Sequence, residues 1–209
     1  MTTFLLVRHG TTDAVGQRLV GRLPGIALNA EGRRQVERVA SSLATVPLEA
    51  VYSSPLERAL DTARPIAAAR GLDVVVRETL TDVDFGGWTG ARIRDLDGDP
   101  EFQRFNSRRS STQPPNGEHV LSLQARLIAE LERIRAERGA ALVAVVSHAD
   151  PIRALLALLL GFPADNLLRV EISPASVSAV VLEPHETRVL FWNRPSSSPF
   201  ADLPPGPAE

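Results

Sequence analysis

The chain has 209 residues, of which 44% are hydrophobic and 23% charged, values typical of a soluble globular protein. Its net charge of -2 is mixed along the sequence without a basic stripe, which argues against a nucleic-acid partner. Cysteine is absent, which excludes disulfides and thiolate chemistry, and no apolar run is long enough for a signal peptide or membrane span, so we expect a cytoplasmic protein with no membrane contact.

The first third of the chain alternates between strand and helix patterns. Apolar residues 4–7 form a short continuous run that ends at Arg8, as expected for a buried strand. Asn29 is a plausible N-cap for the helix that follows. The predicted elements are, in order, a strand at 4–7, a helix at 31–43, a strand at 48–52, a helix from Pro55 to about Arg70, and a strand at 73–77.

Residues 81–117 are rich in Gly, Asp, Ser, Arg and Pro, and we predict that they form a small lid insertion over a site. Beyond the lid the strand and helix patterns return. The predicted elements are a helix at 118–138, a strand at 141–146, a helix opened by Asp150 and Pro151, and strands at 167–172, 176–183 and 187–192, the last two paired as a hairpin. Residues 194–209 are rich in Pro and Ser and predict a flexible tail.

This order of elements predicts an α/β fold within a single domain over residues 1–193. We expect a three-layer αβα sandwich with a mostly parallel central sheet and an antiparallel edge strand. An exposed edge near residues 187–192 would allow pairing with a second copy, as in a homodimer.

Two histidines far apart in sequence each follow an apolar strand directly. His9 lies beside Arg8, and His148 lies near Arg153. A single histidine at a strand end is often only structural, but here Arg58 adds a further guanidinium group. Because guanidinium groups match phosphate oxygens, these residues together predict a phosphate-binding site.

Four segments also resemble the motifs of the histidine phosphatase superfamily, the phosphoglycerate mutase-like proteins, and they occur in the family's order. They are LVRHGTT at residues 6–12, SSPLERA at 53–59, DFGGWTG at 84–90 and SHAD at 147–150. The resemblance implies phosphoryl transfer in two steps without a metal or cofactor. His9 would take the phosphoryl group, and water would then release phosphate from the phosphohistidine.

The resemblance also implies which groups hold the phosphate and which group carries the proton. The phosphate-binding role falls to Arg8, Arg58, His148, Thr12 and the backbone N–H of Ala149, with His148 also stabilising charge during transfer. The proton donor falls to Asp82, where the family usually has Glu. Because Asp is shorter and more acidic, it must lie deep in the site with a raised pKa. Asp84 and Glu118 remain alternatives.

Three further residues are candidate substrate contacts. Arg22 and Gly25 belong to a loop that resembles the family's substrate-side loop, although Arg22 could equally be a solvated surface residue. His119 occupies a segment that resembles one beside the family's pocket, and its alternative role is simply to begin a helix.

We therefore expect a phosphatase that acts on a small phosphorylated metabolite. One alternative is phosphoglycerate mutase-type transfer, which uses the same machinery but requires a lid that retains a bisphosphate. The other is a catalytically weak protein that only binds a phosphorylated ligand, which the short acid at Asp82 would favour. A nucleotide-binding module is disfavoured because no glycine-rich phosphate loop follows the first strand.

Overall fold

The computed structural model of the chain describes residues 1–198 and 200. The strands are β1 (Thr2–Arg8), β2 (Ala50–Ser53), β3 (Val74–Val76), β4 (Ala141–Ser147), β5 (Val177–Leu182) and β6 (Thr187–Arg194). The helices are α1 (Ala30–Leu43), α2 (Glu57–Ala68), α3 (Ile93–Leu96), α4 (Pro100–Ser107), α5 (Val120–Arg138) and α6 (Ala149–Leu159). None of the helices in this part of the chain is long and apolar enough to cross a membrane.

The six strands form one sheet in the order β3-β2-β4-β1-β5-β6. Strands β3, β2, β4 and β1 run parallel to one another. Strand β5 runs antiparallel to β1, and β6 runs antiparallel to β5. The predicted α/β fold, with a mostly parallel sheet and an antiparallel edge, is therefore confirmed. Strands β1 and β4 are adjacent and in register, with Arg8 opposite Ser147.

The core lies on both faces of the sheet. Successive side chains of a strand point to opposite faces, and β1 follows this rule closely. Phe4 and Leu6 belong to the cluster that contains the buried residues of α5 and α6, whereas Leu5 and Val7 pack with those of α1 and α2. This gives the helix, sheet and helix layers predicted from the alternating pattern.

Three local predictions were wrong. Helix α2 begins at Glu57 rather than at Pro55, and the N-cap of α6 is His148 rather than Asp150. Residues 167–172 do not form a strand, because Ala164–Arg169 is a 3-10 helix. Leu167 and Ile172 are fully buried, so their apolar character reflects packing against the core rather than pairing in the sheet.

The predicted lid consists of short helices packed around aromatic side chains. A 3-10 helix at Gly86–Trp88 is followed by α3 and α4. The ring of Trp88 lies 5.4 Å from those of Phe102 and Phe105, centroid to centroid. The lid is also joined to the loop after β1, because the backbone N–H of Ile93 donates to the carbonyl of Gln17.

The first residues of the predicted flexible tail contact the rest of the fold in the part that the structure describes. Arg194 is the last residue of β6, and the Ser42 hydroxyl donates to the carbonyl of Ser196 at 2.7 Å. Phe200 is buried in the same cluster as α1 and α2. The remainder of the predicted tail, residues 199 and 201–209, lies outside the described residues.

Candidate active site

The two histidines meet where β1 and β4 end. The backbone N–H of His9 donates to the carbonyl of Ser147 at 3.0 Å, which continues the pairing of the strands by one residue. The rings of His9 and His148 lie 5.1 Å apart, centroid to centroid, and both residues are buried. The parallel pairing of two strands distant in sequence thus brings the two histidines together at the carboxyl ends of the strands, where α/β folds bind ligands.

The ring of His9 is held in one tautomer by its own chain. Its Nδ1 lies 2.7 Å from the carbonyl oxygen of Gly10, which can only accept, so Nδ1 carries the ring proton. The Nε2 lone pair is then free. Burial lowers the pKa of His9 well below its usual value, and the nearby charges of Arg58 and Arg8 lower it further. His9 is therefore neutral at physiological pH, the form in which imidazole is a nucleophile.

Gly10 has no room for a side chain. Its N–H donates to the Thr62 hydroxyl at 3.1 Å, and that hydroxyl donates to the carbonyl of Arg58 at 2.7 Å. A Cβ added to Gly10 would lie 2.7 Å from the carbonyl oxygen of Gly32. The close packing of α1 against this turn thereby fixes the carbonyl that orients His9.

The ring of His148 is oriented by Ser54. Its Nε2 lies 2.8 Å from the Ser54 hydroxyl, which also accepts from the backbone N–H of Leu56. A hydroxyl that accepts there can donate its own proton to Nε2, which leaves the ring proton of His148 on Nδ1. That Nδ1 has no hydrogen-bond partner and lies 3.7 Å from Asp82 Oδ2. Burial lowers the pKa of His148 well below its usual value, and the charge of Arg58 lowers it further. The ring is therefore neutral, and its Nδ1–H is available as a hydrogen-bond donor.

Arg58 is fully buried, and only one of its three guanidinium nitrogens has a hydrogen-bond partner. Its Nη2 donates to the carbonyl of Gly21 at 2.7 Å and to Asp82 Oδ2 at 3.1 Å, whereas Nε and Nη1 have no hydrogen-bond partner. Leaving buried donors unsatisfied costs about 1–3 kcal/mol each, more for charged groups. An anion bound here would satisfy them.

Asp82 is the acid that faces the histidines. Burial raises its pKa to about 6, an effect that Arg58 opposes and Asp150 reinforces. Its Oδ1 accepts from the backbone N–H of Val83 at 2.9 Å. Asp82 can therefore both donate and accept a proton near neutral pH.

A cavity of about 290 Å³ opens beside these groups. Of the residues predicted to bind phosphate, Arg8, Thr12 and Ala149 line it together with His9 and Asp82, whereas Arg58 and His148 are not among its lining residues. Arg8 donates from Nη1 to the carbonyl of Ile172 at 2.6 Å, which leaves its Nε without a partner. Within residues 1–198 and 200, no group of three or more His, Cys, Asp or Glu side chains is arranged to hold a metal ion.

Comparison with known proteins gives the family. A family model described as the histidine phosphatase superfamily (branch 1) matches residues 4–195. The chain belongs to this superfamily.

Several relatives of the chain are informative. A bifunctional protein of Mycobacterium tuberculosis is 40% identical over 179 residues, which cover 85% of this chain and 49% of that protein. The chain thus spans about half the length of the mycobacterial relatives that it matches in this way. Phosphoserine phosphatase 1 of Hydrogenobacter thermophilus is 30% identical over 198 residues, 92% of each chain. The structure of mycobacterial glucosyl-3-phosphoglycerate phosphatase superposes with a TM-score of 0.83 at 28% identity, covering 92% of this chain and 98% of that one.

The three predicted substrate contacts do not line the cavity. Arg22 donates from Nε to the backbone carbonyl of Asp82 at 3.0 Å and pairs with Glu118 at 3.1 Å. The N–H of Gly25 donates to Glu57, and His119 is the N-cap of α5, where its Nδ1 accepts from Leu121. We therefore leave Arg22, Gly25 and His119 out of the substrate contacts proposed below.

The two alternative acids are also engaged elsewhere. Asp84 is 40% exposed at its side chain and accepts from the N–H of Gly86, as a turn residue does. Glu118 accepts from Arg126 at 2.7 Å as well as from Arg22. Neither faces the cavity that Asp82 lines.

The sequence did not single out several residues that the fold brings to the site. Ser54, just before α2, contacts the ring of His148, and Thr62 of α2 accepts from the backbone N–H of Gly10. Arg109, at the end of the lid, is buried and lines the cavity together with Asp150. Nothing local in the sequence distinguishes Arg109 from its neighbour Arg108, because its burial depends on packing against α6.

Proposed function

We propose that this histidine phosphatase hydrolyses a small phosphomonoester through a phosphohistidine formed on His9. The observation that carries the proposal is the hydrogen bond between His9 Nδ1 and the Gly10 carbonyl at 2.7 Å. It leaves Nε2 as the nitrogen with the free lone pair, and the ring of His148, whose Nδ1 has no hydrogen-bond partner, lies 5.1 Å away, centroid to centroid. Phosphoryl transfer requires a nucleophile beside hydrogen-bond donors that can bind the phosphate oxygens.

In the first step, His9 Nε2 attacks phosphorus in line with the leaving oxygen. A bond forms between Nε2 and phosphorus as the ester P–O bond breaks. Asp82 gives its proton to the leaving alkoxide, which departs as an alcohol. The raised pKa of Asp82, about 6, keeps a useful fraction of the carboxyl protonated under mildly acidic conditions.

In the second step, water attacks the phosphohistidine. The ionised Asp82 accepts a proton from the water as the new P–O bond forms, and the Nε2–P bond breaks to regenerate neutral His9. One carboxyl group thus serves as acid and then as base.

The donors around the cavity hold the transferring group throughout. We assign the non-bridging oxygens to Arg8, Arg58 and the Nδ1–H of His148, with Thr12 and the backbone N–H of Ala149 completing the cradle. Two guanidinium groups supply the charge that stabilises the transfer, so we propose a metal-independent reaction that chelators leave unaffected.

The names of the relatives support this reaction class. One relative is a phosphoserine phosphatase, and a structural neighbour is a glucosyl-3-phosphoglycerate phosphatase. Both names describe the removal of phosphate from a small metabolite. The cavity volume of about 290 Å³ is also suited to a small ligand.

Phosphate release from p-nitrophenyl phosphate and from a panel of alkyl phosphomonoesters tests the proposal. We expect turnover in mildly acidic buffer that EDTA does not reduce and that His9→Ala abolishes. Equal rates in the wild type and His9→Ala would contradict it. Incubation with 3-phosphoglycerate and a bisphosphate primer tests the mutase alternative, and isomerisation without phosphate release would favour the mutase over a phosphatase.

A further inference from the structure

A turn at residues 172–176 contacts Arg8 at the end of β1. Arg8 donates from Nη1 to the carbonyl of Ile172 at 2.6 Å, and its backbone N–H donates to the carbonyl of Ser176 at 3.1 Å. The turn is closed by the N–H of Ser176, which donates to the carbonyl of Ser173 at 3.1 Å. Both the side chain and the backbone of Arg8 are therefore held by the same short segment.

Ala175, in the same turn, contacts the strand end from an unfavourable backbone conformation. Its φ of 54° lies in the left-handed region, which residues other than Gly rarely adopt. Its N–H donates to the carbonyls of both Arg8 and His9, 3.1 Å from each. Backbone strain of this kind persists only where the surroundings over-determine the conformation, and it concentrates at functional sites. The turn is thus firmly joined to the strand end that carries His9.

Asn193 of β6 fixes this turn from outside the cavity. Its side-chain Oδ1 accepts from the backbone N–H of Ser173 at 2.6 Å, and its own N–H donates to the Ser178 hydroxyl at 3.1 Å. Its φ of 53° is left-handed, a conformation that Asn tolerates better than most residues. Asn193 does not line the cavity, and β5 separates β6 from β1. Any effect of Asn193 on a bound phosphate must therefore pass through other residues.

The position of the turn matters for the phosphate because the orientation of Arg8 depends on it. Arg8 lines the cavity, and its Nε has no hydrogen-bond partner among the described residues. A guanidinium group is planar, so the bond from Nη1 to Ile172 fixes the directions in which its other nitrogens can donate. A shift of the turn would rotate this plane away from the phosphate oxygens, and hydrogen bonds weaken steeply when they are misaligned.

We infer that Asn193 is a positioning residue for phosphate binding, and that it acts through the turn at residues 172–176 on Arg8. This inference rests on the proposed function, because it takes from it the role of Arg8 as a phosphate ligand. It goes further in assigning a role to a residue of the last strand that does not touch the site.

Titration of the full-length protein with orthophosphate, followed by phosphorus-31 NMR, tests the inference. Asn193→Gly removes the acceptor of the Ser173 N–H, whereas the backbone conformation is preserved because Gly adopts positive φ freely. We expect the affinity for orthophosphate to fall about fivefold to twentyfold, a change that corresponds to roughly one hydrogen bond. An unchanged affinity, or no binding of orthophosphate by the wild type, would overturn the inference.

Two further variants separate the hydrogen bond from the change of residue. Asn193→Asp keeps an oxygen acceptor and should recover most of the wild-type affinity. The matched control is Asn116→Gly, the same substitution at an exposed lid residue whose φ is 56°. This control should bind orthophosphate as the wild type does. Equal losses of affinity in Asn116→Gly and Asn193→Gly would contradict the role of Asn193.

A double-mutant cycle tests whether Asn193 acts through Arg8. Arg8→Met keeps a long side chain but removes every guanidinium donor. In that background Asn193→Gly should lower the affinity by about twofold or less, because the effects of residues that share one interaction are not additive. If Asn193→Gly lowers the affinity by the same factor in both backgrounds, Asn193 is merely structural and the inference fails.

Phosphate binding requires no turnover, so this inference and the proposed function can fail separately. Unchanged affinity in Asn193→Gly, with His9-dependent turnover intact, would remove the role of Asn193 and leave the phosphatase standing. Coupling between Asn193 and Arg8, with equal turnover in the wild type and His9→Ala, would support the inference and contradict the phosphatase. Asn193→Ala also lacks the acceptor, and it decides the question if Asn193→Gly does not fold.

Discussion

Arg126 of α5 donates from Nη2 to the backbone carbonyl of Asp82 at 3.1 Å. The same carbonyl accepts from Arg22 Nε at 3.0 Å, and Glu118 accepts from both arginines. Arg126 also donates from Nη1 to the carbonyl of Thr79 at 2.6 Å. The backbone at Asp82 is thus held in place by the side chains of Arg22 and Arg126. Because the side chain of Asp is shorter than that of Glu, the position of its carboxyl group depends more closely on the position of the backbone.

Replacing Arg126 should impair proton donation more than phosphate binding. We expect Arg126→Gln to lower kcat for an alkyl phosphate by about tenfold to a hundredfold, because a displacement of about 1 Å can have such an effect. p-Nitrophenyl phosphate should lose much less, since its leaving group departs without a proton. The measurement is the ratio of the two kcat values.

The matched control for Arg126 is Arg133→Gln on the same helix. Arg133 is half exposed and pairs with Glu130. That variant should keep the wild-type ratio. If Arg126→Gln lowers both rates equally, Arg126 is structural and does not position Asp82.

The rate should depend on pH through Asp82. Because its pKa is raised to about 6, the protonated form needed in the first step declines as pH rises above that value. We expect kcat/KM for an alkyl phosphate to fall with increasing pH above about 6. In Asp82→Asn this limb should vanish and kcat should drop by roughly a hundredfold to ten-thousandfold. A descending limb that persists in Asp82→Asn would assign the proton to another group.

Removing the Ser54 hydroxyl should disturb the tautomer of His148. Ser54→Ala deletes the group 2.8 Å from Nε2, so the ring proton is no longer confined to Nδ1. We expect KM for phosphomonoesters to rise about fivefold to a hundredfold, which corresponds to the loss of one hydrogen bond of about 1–3 kcal/mol. Nitrogen-15 NMR of the ring reads the tautomer directly. Ser53→Ala, whose hydroxyl bonds a backbone carbonyl instead, should leave the ring spectrum unchanged.

Gly10 should not tolerate a methyl group. In Gly10→Ala the new Cβ would approach the Gly32 carbonyl to 2.7 Å, and relieving that contact displaces the carbonyl that orients His9. We expect a loss of activity of about tenfold or more, with a lower melting temperature. Gly98→Ala, at an exposed lid position where an added Cβ has no atom within 4 Å, should be close to wild type in both assays.

The end of each buried strand was the most informative feature of the sequence. Continuous apolar runs predicted β1 and β4, and parallel pairing brings their C-terminal ends together, which is why His9 and His148 were found. Asp82 was found from its position two residues before a resembling motif, DFGGWTG at residues 84–90. The tautomer of His9 depends on the carbonyl of the adjacent residue Gly10, whose position only the folded turn reveals.

Contacts between residues far apart along the chain could not be predicted from the sequence. Arg109 donates to Asp150, 41 positions away, and Arg126 donates to the carbonyl of Asp82, 44 positions away. Surface arginines of the same chain have the same local sequence pattern. The 3-10 helix at Ala164–Arg169 was missed for a related reason. Ala164 and Leu167 are buried, and burial alone does not distinguish a strand from a helix.

Trapping of the covalent intermediate tests the central claim most directly. Rapid acid-free quenching of the wild type during turnover of a radiolabelled phosphomonoester, followed by peptide mapping, should give an acid-labile, base-stable phosphoryl group on the peptide that contains His9. The label should accumulate in Asp82→Asn with p-nitrophenyl phosphate, because the second step lacks its base, and should be absent from His9→Ala. Undiminished labelling of His9→Ala, or a label on another residue, would contradict the assignment of His9 as the nucleophile.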